Sequence, residues 1–457
     1  MPEPLADQHF KDALLDQIAR DGNVAQFVSF GPDLKQRYSR IRGFEPNHRF
    51  CDIRTAIETL LVHSPDHRVN IRSSKPDSPH GIEFLYGITS SDLALQEIKR
   101  LAISGLFVIA NETLDVNDGG VSGVVYGNVM EFAPGATPKI VETGGIVSID
   151  RTIAEALLQT VYGFGPTLPF HNDLRVEFSI HPVRRGFANE HTIIWEVQEI
   201  PIDPFRVIPK WPNDFSKFVG DKVFGLLIAD AFGQDVPRTT VLSRNLLPFT
   251  FGKATGSDIK WLRTAPRVPE PGFFPTVRGW TDPFKLAENV AGHEPIPSIL
   301  IQDEVLAKFS GGLMTDSDAR PIVEGVTGFG DNFMLGHVGP TELDGTLLRR
   351  LEGLHETLVH CMGSIRVEWA FDGERIWTIQ LQQETAVSNG QTIVPGEVPS
   401  EMEFEASDGL PGLRRMIELV QGTQVGIKVI GEVGMTSHIA DLLRRHKVPS
   451  RIASKSD

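Results

Sequence analysis

The chain has 457 residues, 40% hydrophobic and 23% charged, an ordinary globular composition with room for two or three domains. A formal net charge of −15 excludes the broad basic face that a nucleic-acid backbone requires. Cys51 and Cys361 offer neither zinc spacing nor a disulfide framework, and no apolar run reaches membrane-spanning length.

The opening segment, MPEPLADQHFKDALLDQIARDGN, has an acidic amphipathic pattern and lacks the basic and apolar regions of a signal peptide. A cytoplasmic, reducing location is therefore expected. Helical spacing covers Asp12–Arg20, Ile53–Val62 and Ser91–Ala102, with a short strand at Arg68–Ile71. From 105 to 200 the β-branched runs LFVIANE, GVSGVVYG, PKIVETGG, LRVEFSI and TIIWEVQE alternate with Gly and Pro, around one helix at Thr152–Val161. A four-proline stretch, PIDPFRVIPKWP, then connects two halves. The second half opens on FSKFVGDKVFGLLIADAFG, predicted as one helix that Gly233 stops. Loops rich in Gly and Pro follow to 290. A second β-rich block then contains SILIQDEV, SGGLM, PIVEGV, IRVEWAF and RIWTIQL, with a helix at Leu343–Cys361. After 385 a polar segment leads to a short C-terminal piece.

The two β-rich blocks match in order. SGVV at 122–125 answers SGGLM at 310–314, and KIVETGG at 139–145 answers PIVEGVTG at 321–328. RVEFSI at 175–180 answers RVEWAF at 366–371, and IIWEVQ at 193–198 answers IWTIQ at 376–380. Each block places a helix between its second and third elements, which points to duplication.

A nucleotide clamp needs a cation for the phosphates, a strand edge for the base and hard oxygens for Mg²⁺. Lys253, in PFTFGKATGS, leads into a Gly/Thr/Ser turn and can reach a phosphate, although a solvated surface lysine fits the same pattern. Arg263 and Arg278 carry planar forks suited to polyphosphate, or to nearby carboxylates. Gln302, Asp303 and Glu304 end an apolar strand and can accept from an adenine amino group or a ribose hydroxyl. Glu368 and Gln380 lie on successive strands and can share a Mg²⁺ ion. His171, His181 and His191 read as scattered surface histidines.

These residues resemble the ATP-binding domain of the pyruvate phosphate dikinase and phosphoenolpyruvate synthase family. The resemblance runs through ILIQDEV, KFSGGLM, PIVEGVTGFGD and RVEWAFDGERIWTIQLQQE. It implies an α+β chain with an ATP-grasp unit: an N-terminal lobe at 206–290 and a C-terminal lobe at 291–385. It further implies that Gln302 to Val305 form the adenine hinge, that Glu368 and Gln380 bind metal, and that Lys253 meets the phosphates. Arg278 would stand where the family has its Val-Arg-Ser arginine. Two positions depart from the family: Asp331 follows GFG where Glu is usual, and Gln382-Gln383 replaces Arg-Pro. Residues 1–205 resemble the same family more faintly, with VNIRSS at 69–74 and with Glu177, Glu196 and Gln198 repeating the metal face. That region is expected to be a degenerate structural copy, with Arg72 and Glu177 serving a second substrate as the alternative. At 408–457, VIGEVGMTSHIADLLRRHKVPSRI resembles a truncated phosphohistidine motif centred on His438. The expected function is Mg·ATP-dependent phosphoryl transfer to His438, a small molecule or a carboxylate. An acyl-phosphate ligase joining acid to amine or thiol, and a nucleotide-binding pseudoenzyme, are the alternatives. A homodimer is compatible with the sequence; a nucleic-acid or membrane partner is not expected.

Overall fold

Strand-forming runs that alternate apolar and polar residues must each bury one face, and this chain does so twice over in one arrangement. The computed structural model describes residues 6–75, 81–137, 145–169, 173–200, 207–268, 270–288, 296–384 and 387–453. Contacts divide it into one unit of residues 1–159 and 164–206, and another of 160–163 and 207–457. The α+β class is as expected. Among the described residues, no helix is long and apolar enough to cross a membrane.

The first unit begins with α1 (Ala6–Asp21), β1 (Phe27–Phe30), β2 (Gln36–Arg40), α2 (Ile53–His63), β3 (Val69–Ser74), β4 (Gly81–Ile88), α3 (Ser91–Ile103) and β5 (Phe107–Glu112). Its strands form a sheet in the order β2-β1-β5-β3-β4. One face buries Val28, Ile71, Val108 and Ala110 against Ile57 and Leu60 of α2 and Ile98 and Leu101 of α3. A second sheet follows from β6 (Val121–Tyr126), β7 (Val129–Pro134), β8 (Val147–Asp150), α4 (Arg151–Tyr162), β9 (Leu174–Arg185) and β10 (Glu190–Glu199), ordered β10-β9-β6-β7-β8.

The second unit starts with α5 (Asp214–Val219), α6 (Asp221–Ala231), β11 (Thr239–Ser243), β12 (Phe249–Phe251), β13 (Lys260–Ala265), β14 (Thr276–Arg278), α7 (Pro283–Glu288) and β15 (Ser298–Asp303). The sheet order is β12-β11-β15-β13-β14, the same sequence of pairings as in the first unit. Its second sheet comes from β16 (Phe309–Thr315), β17 (Pro321–Thr327), α8 (Asp331–Met334), α9 (Gly345–Met362), β18 (Ile365–Phe371) and β19 (Ile376–Gln383), ordered β17-β16-β18-β19. A last sheet holds β20 (Thr392–Val394), β21 (Ser400–Glu405), α10 (Gly409–Val420), β22 (Val425–Ile430), α11 (His438–Arg445) and β23 (Ser450–Ala453), with β21, β22 and β23 parallel.

The repetition reaches single residues. Gly123 faces Phe178 and Val124 faces Glu177, as Gly311 faces Trp369 and Gly312 faces Glu368. Arg72 faces Ile109 on β5, as Arg263 faces Leu300 on β15. Even the irregularity recurs: Glu177 opposes Glu196 beside a break in register, as Glu368 opposes Gln380 beside another. A bulge re-aims the side chains next to it, so both units turn the same strand position inward.

Two expectations change. The strand beside β6 that answers PIVEGVT is Val129–Pro134, with Glu131 at the register of Glu324. Most of KIVETGG, residues 139–144, lies outside the described residues. The predicted single helix over 215–233 is two helices, because Gly220 adopts φ 95 between them. That conformation is open to glycine at little cost, and a Cβ there would also stand 2.6 Å from the Ala265 carbonyl.

Candidate functional site

A cavity of about 470 Å³ opens inside the second unit, lined by Lys222, Arg263, Gln302, Glu368, Gln380 and His438 among others. Three layers converge there: β13 and β15 from one sheet, β18 and β19 from the next, and the N-terminus of α11.

Arg263 is the hub. Its Nη1 donates to the Ile379 carbonyl at 2.9 Å and lies 3.4 Å from Gln302 Oε1. Its Nη2 donates to Gln380 Oε1 at 2.9 Å and to Glu368 Oε2 at 3.3 Å. Gln302 is oriented by its own amide donating to Thr239 Oγ1 at 3.2 Å. Burial would raise the Glu368 carboxyl, but Arg263, His438, Arg366 and Lys222 together hold it below the usual carboxylate range. Lys222, Arg263 and Arg366 thus gather around Glu368 in one part of the cavity, whose lining elsewhere includes Asp303 and Asp331.

Lys222, in the first turn of α6, is the lysine that lines this cavity. Burial, and then the charge of Arg263, pushes its ammonium down to about 8. The neighbouring Asp221 carboxylate accepts from Trp211 Nε1 at 2.6 Å and from Gln382 Nε2 at 2.9 Å, which fixes the helix start.

His438 is the first residue of α11, after the N-cap Ser437, whose Oγ accepts from the Ala440 amide. Its Nδ1 is buried without a hydrogen-bond partner among the described residues. Burial is the main cause that lowers the imidazole to about 4; Arg366 and Lys222 lower it further, and Glu368 and Asp441 oppose them. The ring is therefore neutral at ordinary pH, with a lone pair available.

The loop ahead of His438 is clamped. Glu324 accepts from the amides of Met435 (2.9 Å) and Thr436 (2.8 Å), and from Thr436 Oγ1 (2.8 Å). Arg366 donates to the Thr436 carbonyl at 2.8 Å. Gly312 allows this approach, since a Cβ built there would meet Thr436 at 2.4 Å. Arg444 bonds the Met435 carbonyl at 2.9 Å and pairs with Glu384.

The sequence candidates fall into two groups. Arg263, Gln302, Asp303, Val305, Glu368, Gln380 and His438 all line the cavity. Lys253 does not: its Nζ lies 2.5 Å from Asp235 and it is half exposed. Arg278 pairs with the buried Glu304 carboxylate through Nε at 2.5 Å and Nη2 at 3.1 Å, on the strand next to Arg263. Arg263, rather than Arg278, shares the register of Arg72 in VNIRSS. Asp331 and Gln382 line the cavity, whereas Gln383 turns away to the Pro209 and Met362 carbonyls. Of the three histidines, His171 lies outside the described residues. His181 is buried and bonded to Asp118 and Ser179, so it is not a surface residue. Lys222 carries no local motif in the sequence; it stands in the first helical turn after the break at Gly220. Among the described residues, no group of three or more His, Cys, Asp or Glu converges as a metal site.

No protein-family model matches this chain, and no curated protein does. Solved structures match over part of it. D-alanine–D-alanine ligase from Helicobacter pylori has 10% identity and a TM-score of 0.26, over 38% of this chain and 53% of that one. A RimK domain ATP-grasp protein from Sphaerobacter thermophilus has 16% identity and 0.23, over 36% and 58%. D-cycloserine synthetase DcsG has 14% identity and 0.24, over 44% and 65%. The match thus spans a little over half to about two thirds of those chains. None of the three is titled a dikinase, and at these scores the likeness carries no functional argument.

Proposed function

We propose that the second unit is an ATP-grasp site that binds Mg·ATP in the cavity and transfers the terminal phosphoryl group to His438. The reading rests on one observation: a neutral imidazole with an unpartnered buried nitrogen opens onto the same cavity as Lys222, Arg263 and Glu368. Cationic side chains suited to phosphate and a nucleophile line one cavity, which is what group transfer requires.

In this reading Lys222 and Arg263 hold the phosphates and neutralise the charge that builds as the terminal group moves. Gln302 to Val305 line the base. Glu368 and Gln380 fit the nucleotide's Mg²⁺, because their hard oxygens converge on one point, where the Arg263 guanidinium now bonds both. Glu368 and Gln380 would hold the ion, which would supply positive charge beside the phosphates. A His438 ring nitrogen attacks the terminal phosphorus, the bond to the leaving nucleoside diphosphate breaks, and the other ring nitrogen gives up its proton. The low basicity of the ring keeps its lone pair free at neutral pH. The amide-rich start of α11 then faces the new anion. Residues 206–290 and 291–385 serve as the two lobes and 408–457 as the carrier.

Carboxylate–amine or carboxylate–thiol ligation through an acyl-phosphate is the second reading, in which a carboxylate entering the same cavity takes the phosphoryl group in place of His438. Mass spectrometry of the intact chain after incubation with Mg·ATP, kept at alkaline pH, separates the two. A phosphate on His438 that is absent in His438→Asn supports histidine transfer. No phosphate there, with ADP release that depends on added acid and amine or thiol, moves the assignment to the ligase.

A further inference from the structure

We propose that the first unit holds a second Mg·nucleotide site, centred on Arg72, Glu177 and Glu196 and walled by the aromatic rings of Phe84 and Tyr86. This inference borrows its chemistry from the reading of the second unit, but its residues and its test are separate.

The frame is the same in both units. Arg72 occupies the register of Arg263, Glu177 that of Glu368, and Glu196 that of Gln380. What differs is chemically directed. A carboxylate replaces an amide at Glu196, so two anionic oxygens face each other where the second unit has one. Glu177 Oε1 accepts from Arg175 Nη1 at 2.7 Å, and the two carboxylates supply hard oxygens of the kind a divalent cation takes.

Arg72 supplies an independent sign of a missing ligand. In the second unit, Arg263 spends its Nη donors on four acceptors, while its Nε is buried and meets none among the described residues. In the first, Arg72 Nε is buried and meets no acceptor among the described residues. Burial lowers the Arg72 guanidinium, and the charges of Glu196 and Glu177 reach it from the facing sheet. The same open Nε recurs at the counterpart Arg263, so both arginines keep a buried donor at this place in the frame. A phosphate oxygen is the acceptor that suits it.

The wall fits a base. Phe84 pairs directly with Arg72 across β3 and β4, so the two share a face, at the place Thr276 holds opposite Arg263. Phe84 is 57% exposed and Tyr86, two residues on, is 58% exposed. Their ring centroids are 6.4 Å apart. Tyr86 Oη donates to the Leu114 carbonyl at 2.9 Å. Leu114 lies two residues beyond Glu112, as Val305 lies two beyond Asp303, so Tyr86 sits at the counterpart of the adenine hinge. Exposed aromatic rings in that place offer a stacking platform.

This second site lacks a carrier. Val124 stands where Gly312 admits the Thr436 loop, so the first unit has a side chain at the position that is bare in the second. The first unit would bind nucleotide and hold it without passing a phosphoryl group to a histidine.

Isothermal titration of the full chain with Mg²⁺ and a non-hydrolysable ATP analogue tests this, with circular dichroism confirming that each variant is folded. Two sites per chain are expected. Phe84→Ala, a surface change, should weaken one of them about tenfold, as loss of base stacking does. Glu196→Ala should remove that same site, and Lys222→Ala should remove only the other. One site in the wild type, lost in Lys222→Ala and indifferent to Phe84→Ala and Glu196→Ala, overturns the proposal and leaves the function of the second unit standing. One site lost in Glu196→Ala but kept in Lys222→Ala supports the proposal and overturns the reading of the second unit. Absence of any binding overturns both.

Discussion

Arg366 Nη1 donates to Asp441 Oδ2 at 2.6 Å, and both residues are buried. Through this pair the strand that carries Glu368 is tied to the helix that carries His438. Arg445 also grips Asp441, through Nε at 2.9 Å. Burial alone would raise the Asp441 carboxyl, but Arg366 and Arg445 hold it well below the usual range. Removing one partner leaves the other charge buried and uncompensated, which costs about 3–5 kcal/mol. Arg366→Met should therefore destabilise the chain by roughly that amount in urea unfolding, and should cut His438 labelling by ATP more than tenfold. Labelling at the wild-type rate in a folded Arg366→Met protein would show that the pair does not position α11.

Two lysines can be separated by one titration. Lys222→Ala should weaken Mg·ATP binding at the second unit by about ten- to a hundredfold, the scale of a charge-assisted phosphate contact. Lys253→Ala, already paired with Asp235 and outside the cavity lining, should stay within about twofold in isothermal titration. The opposite ranking would return the phosphate role to Lys253.

The pH dependence has a definite sign. His438 is lowered to about 4, chiefly by burial, from an ordinary value of 6.5. Between those values the unfolded chain binds the proton and the folded chain does not, so stability rises with pH across this window. The contribution, on the order of 3 kcal/mol at most, is complete above about 6.5 and is lost as pH falls toward 4. His438→Asn should flatten the stability profile between pH 4 and 6.5 in chemical denaturation. An unchanged slope in that variant would mean that His438 is accessible to protons in the folded chain.

Lys222 gives a second profile. Its ammonium, lowered to about 8, loses its charge as pH rises through that region. Affinity for Mg·ATP should fall above pH 8 and be accompanied by proton uptake, visible as a dependence of the titration heat on buffer ionisation. Lys222→Arg, charged throughout, should abolish the fall.

How far the sequence could be read depended on whether the signal was local. The runs SGGLM, VEWAF and IWTIQL carry strand alternation and bring Glu368 and Gln380 opposite each other, as their spacing implied. The TSH loop announced itself through its helix cap at Ser437. Two features were hidden because they depend on non-local packing. Gly220 looked like one residue of a continuous apolar helix, and only its approach to Ala265 requires the break that aims Lys222 inward. The strand beside β6 was assigned to the wrong segment, since KIVETGG copies PIVEGVT in letters while Val129–Pro134 copies it in register. Lys253, in turn, satisfied a loop pattern that many solvated lysines satisfy.

The gap at Gly312 is where the loop before α11 meets β16. Gly312→Val reproduces the Val124 arrangement that β6 already accommodates, so the strand itself should tolerate it. The altered chain should keep nucleotide affinity, lose His438 labelling and expose its last sheet to limited proteolysis. Intact protection and labelling in that variant would show that the approach is not governed at this position.

A strand position without a side chain works here as a keyhole cut in a wall. The same wall occurs twice in the chain and is cut at Gly312 but not at Val124; on the readings proposed above, one frame would hand on what it holds while its twin would keep it.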